Sequence, residues 1–217
     1  MDIDNNIDRL ERERRFWDSF ASKYDSCIRK NAASSYEKLL IELINDTNDS
    51  SELLEIATGT GILSIELRSQ ISKITAIDIS PKMIEIAKKK VKENQISNID
   101  FRVGDSYNLE FPDMSFDTVI ASNVLHLLYQ PDTAISEMKR VVRKKGKIII
   151  PTYCHGENLK THLISRLMGI VGFKARSRWS VNAFKAFIKR NGLHIERFIV
   201  LKDKIPLIYV VARKNES

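Results

Sequence analysis

An apolar segment that runs directly into a glycine-rich turn is the feature that most limits what this chain can fold into. Residues 53–61 are Leu-Leu-Glu-Ile-Ala-Thr-Gly-Thr-Gly, and helix-type sequence follows at once. Gly59 and Gly61 let the backbone turn tightly and approach a ligand closely, and the amides that open the next helix can meet negative charge. We therefore expect a strand, a turn and a helix that together bind a nucleotide-like cofactor.

Acidic residues end the next two predicted strands. Asp78 follows the apolar residues 74–77, at the spacing at which doubly wound folds place an acid on ribose hydroxyls. A Ser-Pro pair then begins another helix, and a third strand over residues 99–103 stops just before Asp105. Both acids are expected at the carboxyl edge of a parallel sheet, where such folds bind their ligands.

Five motifs in this order resemble those of the class I S-adenosylmethionine-dependent methyltransferase family. The resemblance extends over roughly residues 52–150, and the motifs occupy residues 55–61, 78–83, 104–106, 115–126 and 141–150. Five motifs in the correct order are far more specific than any one of them. The resemblance implies S-adenosyl-L-methionine as the cofactor. It also implies an α/β fold with a Rossmann-like, doubly wound, seven-stranded sheet, mostly parallel with one antiparallel strand near the C-terminus and helices on both faces.

The resemblance also implies roles for individual residues. Gly59 and Gly61 would pass beneath the methionine portion, Asp78 would accept hydrogen bonds from both ribose hydroxyls, and Asp105 would receive the adenine amino group. Ala57 stands where the family usually has glycine. The complete expected set of cofactor-binding residues is Tyr24, Glu55, Ala57, Gly59, Gly61, Asp78, Ile79, Met83, Asp105, Ser106 and Asn123.

A nicotinamide or flavin dinucleotide is the competing cofactor, because its fingerprint also begins with spaced glycines and ends with a ribose-binding acid. That fingerprint needs a third glycine, and Ser64 stands at its position. The sequence therefore favours the methyl donor. Two other classes of function stay open: an S-adenosylmethionine-binding module without transfer activity, and an NAD(P)-dependent oxidoreductase.

Composition indicates one soluble domain. A length of 217 residues with 43% hydrophobic content suits a single α/β domain. No apolar run approaches the roughly 20 residues that span a bilayer, and the first residues lack a signal pattern, so we expect a cytoplasmic protein. Cys27 and Cys154 have no neighbouring cysteine or histidine cluster, which predicts neither a disulfide framework nor a metal site.

Charge is distributed unevenly along the chain. Residues 1–138 carry 16 Lys and Arg against 24 Asp and Glu, whereas residues 139–217 carry 19 against 4. One interpretation is that the basic side chains are simply solvated on helix faces. The other is that the acceptor side of the molecule is electropositive and favours an anionic substrate, a membrane surface or nucleic acid.

Segments on either side of the motif region are expected to cover the ligand. Residues 1–50 form a predicted N-terminal helical lid, with helices over 7–30 and 35–44, although the apolar stripe of the first helix would equally suit packing on the core. Residues 153–180 form a predicted acceptor cap. Its amphipathic part, 158–171, suits either a cap or a membrane contact.

The last part of the sequence predicts helices over residues 133–143 and 181–190 and a fifth strand over 147–150. Two further strands, 194–201 and 205–212, are joined by only three residues and must be antiparallel.

Methyl transfer from a sulfonium needs mainly alignment, and a general base is required only if the acceptor loses a proton. His126 and His155 follow the fourth and fifth predicted strands and are the candidate bases. The pattern Asn/Asp-Pro-Pro, typical of enzymes that methylate nucleic-acid amines, is absent after strand four, which disfavours nucleic acid, and two cysteines are too few for arsenic methylation. A small molecule is therefore expected as the acceptor, either anionic or partly apolar, with a lipid or quinone at the membrane surface as the alternative.

Overall fold

The computed structural model describes residues 3–48, 50–157, 161, 175–203 and 205–215. The helix predicted over residues 158–171 therefore lies, apart from position 161, outside the described residues. Within the described ranges no helix has both the length and the apolar character needed to cross a membrane. The same ranges hold no group of three His, Cys, Asp or Glu side chains placed to bind a metal ion.

Helices and strands alternate through the motif region, as the sequence predicts. The helices are α1 (Ile3–Asn31), α2 (Ala33–Thr47), α3 (Ile62–Leu67), α4 (Pro81–Glu93), α5 (Pro131–Val141) and α6 (Val181–Arg190), with a short 3₁₀ helix over Leu125–Leu127. The strands are β1 (Glu52–Ile56), β2 (Lys73–Asp78), β3 (Ile99–Val103), β4 (Phe116–Ala121), β5 (Val142–Tyr153), β6 (Leu193–Leu201) and β7 (Leu207–Lys214).

All seven strands form one sheet in the order β3-β2-β1-β4-β5-β7-β6. Pairings among β1 to β5 are parallel, whereas β7 pairs antiparallel with both β5 and β6. Only β7 is therefore reversed, which confirms the predicted fold class. Because the strand order changes direction between β1 and β4, a ligand crevice is expected beyond the carboxyl ends of these two strands.

Apolar helix faces cover the sheet on both sides. On one side α2, α3 and α4 contribute Leu39, Leu43, Leu63, Leu67, Ile84 and Ala87 to a buried cluster. On the other side α5 and α6 contribute Ile135, Met138, Val141, Phe184, Phe187 and Ile188. The two layers hold the sheet rigid, so that the loops at its carboxyl edge start from fixed positions.

The boundary between α5 and β5 differs from the prediction. The helix ends at Val141 and the strand begins at Val142, whereas the sequence predicted a helix to 143 and a strand from 147. The reason is a register shift, since Phe116 pairs with Val142 but Thr118 pairs with Lys147. A Cβ on Gly146 would lie 2.7 Å from the Asp117 carbonyl oxygen, so the irregularity brings the two backbones too close for any side chain.

Candidate functional site

A cavity of about 400 Å³ lies at the carboxyl edge of β1 to β4 and is covered by α1. Its floor comes from the turns that follow the strands, and its roof comes from one face of the helix. The lining comprises Arg12, Glu13, Phe16, Trp17, Tyr24, Ile56, Ala57, Gly59, Ile77, Asp78, Ile79, Met83, Gly104, Asp105, Ser106, Ser122, Asn123, Val124, Leu127, Leu128, Tyr129 and Arg176. Nine of the eleven predicted cofactor-binding residues are in this set; Glu55 and Gly61 are not.

The turn after β1 has the left-handed backbone that its glycines predict. Gly59 and Gly61 have φ of 58° and 78°. Ala57 also has a positive φ, 57°, so the alanine that replaces the family's usual glycine adopts the same region at some steric cost. A Cβ on Gly61 would lie 2.5 Å from Cζ of Phe101. Gly61 therefore serves close packing of α3 on the sheet, and only Gly59 faces the cavity.

Asp78 is fixed by the backbone on either side of it. Its Oδ2 accepts a hydrogen bond from the Gly59 N–H at 2.8 Å, and its Oδ1 accepts one from the Ser80 N–H at 2.9 Å. The residue is only 7% exposed, and this burial raises the pKa of Asp78 to about 6. Each carboxylate oxygen can accept a second hydrogen bond. Asp78 is therefore built to receive two donors from the cavity.

Glu55 supports the turn from beneath. Its Oε2 accepts hydrogen bonds from the hydroxyl of Thr58, at 2.7 Å, and from that of Ser64. Burial raises the pKa of Glu55 to about 7. Ser64, at the position of the third glycine in a dinucleotide fingerprint, is fully buried and is not among the residues that line the cavity. Its hydroxyl holds an acid in place and does not face a phosphate site.

Asn123 lies where β4 leaves the sheet. It has a positive φ of 55°, and its N–H donates to the Pro151 carbonyl at 2.8 Å, which ties the end of β4 to β5. Its Oδ1 is buried and has no hydrogen-bond partner among the described residues. A buried acceptor in this state is costly. Because Asn123 lines the cavity, a ligand that donates a hydrogen bond there would satisfy this oxygen.

Three polar side chains of α1 join the helix to the turns beneath it. Arg9 pairs with Asp105 after β3. Asp18 accepts hydrogen bonds from the Ser80 hydroxyl and, at 3.1 Å, from the backbone N–H of Lys82 at the start of α4.

The third contact is made by Asp25, which pairs with Lys90 of α4 at 2.6 Å and accepts from the Thr60 hydroxyl after β1. The predicted N-terminal helix is thus present and covers the cavity, while its opening and closing as a lid stay a prediction.

The two candidate bases lie outside the described lining of the cavity. His126 is buried in the 3₁₀ helix, where its Nδ1 is 3.0 Å from the Thr152 hydroxyl oxygen. Burial, with the His155 ring 5.0 Å away, lowers the pKa of His126 to about 3. His155 is buried as well. A neutral, buried imidazole suits packing between β4 and β5, and a role as general base for either residue stays a prediction.

Several lining residues were not predicted as site residues. Arg12, Glu13, Phe16 and Trp17 occupy one face of α1, and their i, i+4 spacing is the signal that would have marked this face. Arg176 is another: its guanidinium lies 3.8 Å from the centre of the Tyr129 ring, and its backbone N–H donates a hydrogen bond to the His126 carbonyl at 2.8 Å. Nothing in the sequence around Arg176 indicates that contact, because it joins segments about 50 residues apart.

Comparison with known proteins agrees with the geometry of the cavity. Residues 54–150 match the family model described as a methyltransferase domain. A demethylmenaquinone methyltransferase of Thermotoga maritima is 33% identical over 141 residues, which is 63% of this chain and 59% of that protein. A phosphatidylethanolamine N-methyltransferase of Cereibacter sphaeroides is 39% identical over 99 residues, 45% of this chain and 48% of that protein.

The chain thus spans between 48% and 59% of the length of these two relatives. Among solved structures, a SAM-dependent methyltransferase from Aquifex aeolicus shares the fold with a TM-score of 0.68 and 20% identity. That match covers 89% of this chain and 97% of the other.

Proposed function

We propose that this chain is a class I S-adenosylmethionine-dependent methyltransferase that transfers a methyl group to a small-molecule acceptor; the match of residues 54–150 to the methyltransferase-domain model supports this. The observation that carries the proposal is the convergence of Asp78, Asp105 and Asn123 on one cavity at the carboxyl edge of the sheet. A binding site of this family needs acceptors for ribose hydroxyls, a purine amine and an ammonium group. The three side chains supply one acceptor for each.

The residues present suit this cofactor by the chemistry of their free acceptor positions. Asp78 has one acceptor position left on each oxygen, which suits a pair of neighbouring hydroxyls. The buried Oδ1 of Asn123, which has no partner among the described residues, suits the ammonium group of the methionine portion. Gly59 leaves no side chain between the turn and the ligand.

When bound, S-adenosylmethionine supplies a methyl group on a positively charged sulfur. The protein's task is then to hold donor and acceptor in line and to exclude water, because positioning of the reacting groups can lower the barrier by about 7–11 kcal/mol. Phe16 and Trp17 of α1 provide the apolar roof for this, and Tyr24 closes the roof above Gly59. With the pKa of His126 at about 3, that side chain stays neutral at physiological pH.

For the acceptor we propose a molecule with an apolar portion. Support comes from the apolar wall that follows β4, made by Leu127, Leu128 and Tyr129, and from the named substrates of the relatives, a demethylmenaquinone and a phosphatidylethanolamine. Arg12 and Arg176 at the same cavity would accommodate an anionic group on it. A lipid or quinone presented at a membrane surface is the more specific form of this proposal, and the excess of basic residues after position 138 favours it.

The test is transfer of a radiolabelled methyl group from S-adenosylmethionine to a panel of acceptors. The panel contains small phenols and organic acids, quinols with short and long tails, and phosphatidylethanolamine in vesicles. We expect label in an apolar acceptor, and none when Asp78→Ala replaces the wild type. Binding of the cofactor without transfer to any acceptor would support a binding module instead, and preferential binding of NAD(P) would support an oxidoreductase.

Membrane presentation has its own measurement. If the acceptor is taken from a bilayer, the protein should sediment with vesicles rich in phosphatidylglycerol at low salt and less so at high salt, because a charge-driven contact is screened. Equal recovery in the supernatant with anionic and neutral vesicles at low salt would contradict membrane presentation and leave a soluble acceptor.

A further inference from the structure

Arg9 is a buried cation that no part of the proposed function uses. It lies in the second turn of α1 and is only 6% exposed, although an arginine on a surface helix is normally solvated. It does not line the cavity. Burying a charge is costly unless it is paired. The groups that pair with Arg9 should therefore explain why it is buried.

The described partners of Arg9 include Asp105 and Glu13, which line the cavity, and Tyr107, which is close in sequence to Asp105. Nη2 of Arg9 pairs with Oδ2 of Asp105, and its Nη1 lies 3.0 Å from Oε2 of Glu13, which lines the cavity one helical turn further along. Its guanidinium stacks 4.3 Å from the centre of the Tyr107 ring. The Tyr107 hydroxyl in turn accepts a hydrogen bond from the Gln130 N–H at 2.9 Å. Arg9 thus joins α1, the turn after β3 and the loop before α5.

Asp105 is held on both oxygens as a result. Its Oδ1 accepts the Tyr107 N–H at 3.1 Å and its Oδ2 is tied to Arg9, so the carboxylate cannot rotate freely. In an ion pair the carboxylate is ionised and can only accept hydrogen bonds, and each oxygen keeps one further acceptor position. An acceptor-only group at this end of the cavity distinguishes a purine with an exocyclic amine from one with an oxo group.

We infer that Arg9 is a positioning residue that sets the purine selectivity of the cavity: through its ion pair it keeps the two oxygens of Asp105 oriented, so that the cavity takes an aminopurine and rejects an oxopurine. This inference rests on the proposed function, because it assumes that Asp105 meets the adenine end of the cofactor. It assigns the selectivity to a pair of residues, one of which never touches the ligand.

The test compares two ligands by calorimetric titration: S-adenosyl-L-homocysteine and S-inosyl-L-homocysteine, in which an oxo group replaces the purine amine. The wild type should prefer the adenosyl compound by at least about 30-fold, since one unmatched buried acceptor costs on the order of 10- to 100-fold in affinity. Arg9→Met, which fills similar space without charge, should reduce that preference by about 10-fold. Arg9→Lys keeps the charge but lacks the planar fork of the guanidinium. Its preference for the adenosyl compound should therefore lie between those of the wild type and Arg9→Met.

Arg15→Ala is the matched control. Arg15 is also an arginine of α1 with an i, i+4 acidic partner, Glu11, but its side chain is 82% exposed. It should leave both affinities unchanged. Thermal unfolding of every variant separates loss of the fold from loss of selectivity, and Arg9→Lys carries the test if Arg9→Met does not fold.

Several results would overturn the inference. The preference could be the same in wild type and both Arg9 variants, or Arg9→Met could bind both ligands more tightly in equal proportion, which would make Arg9 a competitor of the ligand. If the wild type binds S-adenosylhomocysteine and the Arg9 variants keep the same selectivity, only the role of Arg9 is contradicted. A wild type that binds neither compound contradicts the proposed function itself.

Discussion

The floor and the roof of the cavity are built in different ways. The floor consists of the turn 57–61 with Asp78 and Asp105, and it is held largely by backbone: left-handed residues and N–H groups that point at a carboxylate. The roof is the face of α1 that carries Phe16, Trp17 and Tyr24, and it is held by side-chain contacts to the turns below. Backbone geometry leaves few alternatives. Of the described ion pairs that hold the roof, only the pair of Arg9 with Asp105 is largely buried, whereas the pair of Asp25 with Lys90 is partly exposed and therefore weaker and sensitive to salt. We therefore expect the floor to tolerate substitution far less than the roof.

Replacing Asp78 should have the largest effect. Asp78→Ala removes the acceptor for two ligand hydroxyls and leaves the buried Gly59 and Ser80 N–H groups without their partner. Two hydrogen bonds to a charged group are together worth about 3 kcal/mol or more. Calorimetric titration with S-adenosylhomocysteine should therefore show affinity reduced at least about 100-fold.

The control for Asp78 is Asp100→Ala. Asp100 is an acid of the same sheet that pairs with Arg102 on the exposed part of β3, away from the cavity. Affinity should stay at the wild-type value in this control. Retained affinity in Asp78→Ala would refute the assignment of the floor.

The substitution Gly61→Ala, which adds one methyl group, tests the packing of the floor. The new Cβ would lie 2.5 Å from the Phe101 ring, and the residue has a φ that disfavours side chains. Overpacking together with backbone strain predicts a loss of about 3 kcal/mol in the free energy of unfolding, measured in urea. Gly104→Ala is the comparison, because its Cβ would meet only the Ile77 side chain at 3.2 Å and its φ is not positive. If both variants lose the same stability, backbone geometry does not distinguish these positions.

The buried acid beneath the floor should make stability depend on pH. The pKa of Glu55 is raised in the folded state to about 7 from 4.5, so its contribution to stability is complete below pH 4.5 and is lost as the pH rises through 7. Glu55→Gln removes this loss. The free energy of unfolding of the variant minus that of the wild type should therefore increase by about 2 kcal/mol from pH 5 to pH 8.

His126 acts in the opposite direction. Its pKa is lowered in the folded state, so stability is lost as the pH falls below 6.5 towards 3. Because His126 is present in both proteins, its effect cancels when the unfolding free energies of wild type and Glu55→Gln are subtracted at each pH. A difference that stays constant from pH 5 to pH 8 would show that Glu55 has an ordinary pKa.

The smallest effect is expected in the roof. Tyr24→Phe keeps the ring that lies against Gly59 and removes only the hydroxyl, which is 3.3 Å from that of Tyr36. Burial raises the pKa of Tyr24 to about 12, so the lost group is a neutral hydroxyl. The affinity for S-adenosylhomocysteine should change less than about fivefold, because a neutral hydrogen bond contributes on the order of 1 kcal/mol or less. A fall in affinity of more than tenfold would show that the hydroxyl contacts the ligand and that the roof tolerates substitution no better than the floor.

The same contrast explains what could be predicted from the sequence. The floor depends on glycine spacing and on acids at strand ends, which are local patterns, and the structure places Gly59, Asp78 and Asp105 at the strand ends that the sequence indicates. Their roles towards a cofactor stay a prediction. The pair of Arg9 with Asp105 joins residues 96 apart in sequence, and no local pattern indicates it. The shift around Gly146 was missed for a similar reason, since it depends on the backbone of the neighbouring strand.

The histidines show a different limit. Their places after β4 and β5 were predicted correctly, but the sequence could not show that Nδ1 of His126 lies beside the Thr152 hydroxyl and that neither histidine is in the described lining of the cavity. The direction of a side chain at a strand end depends on packing that only the assembled sheet provides. The predicted role of the segment 153–180 as an acceptor cap stays untested, because most of it lies outside the described residues.

The central claim, that the floor binds S-adenosylmethionine, is tested most directly by titrating the wild-type protein with S-adenosylhomocysteine and, separately, with NAD and NADP in a calorimeter. We predict one site per chain for S-adenosylhomocysteine, with affinity in the micromolar range, and no measurable heat with either dinucleotide. Binding of a dinucleotide in preference to S-adenosylhomocysteine, or no binding of S-adenosylhomocysteine to the folded protein, would contradict the claim.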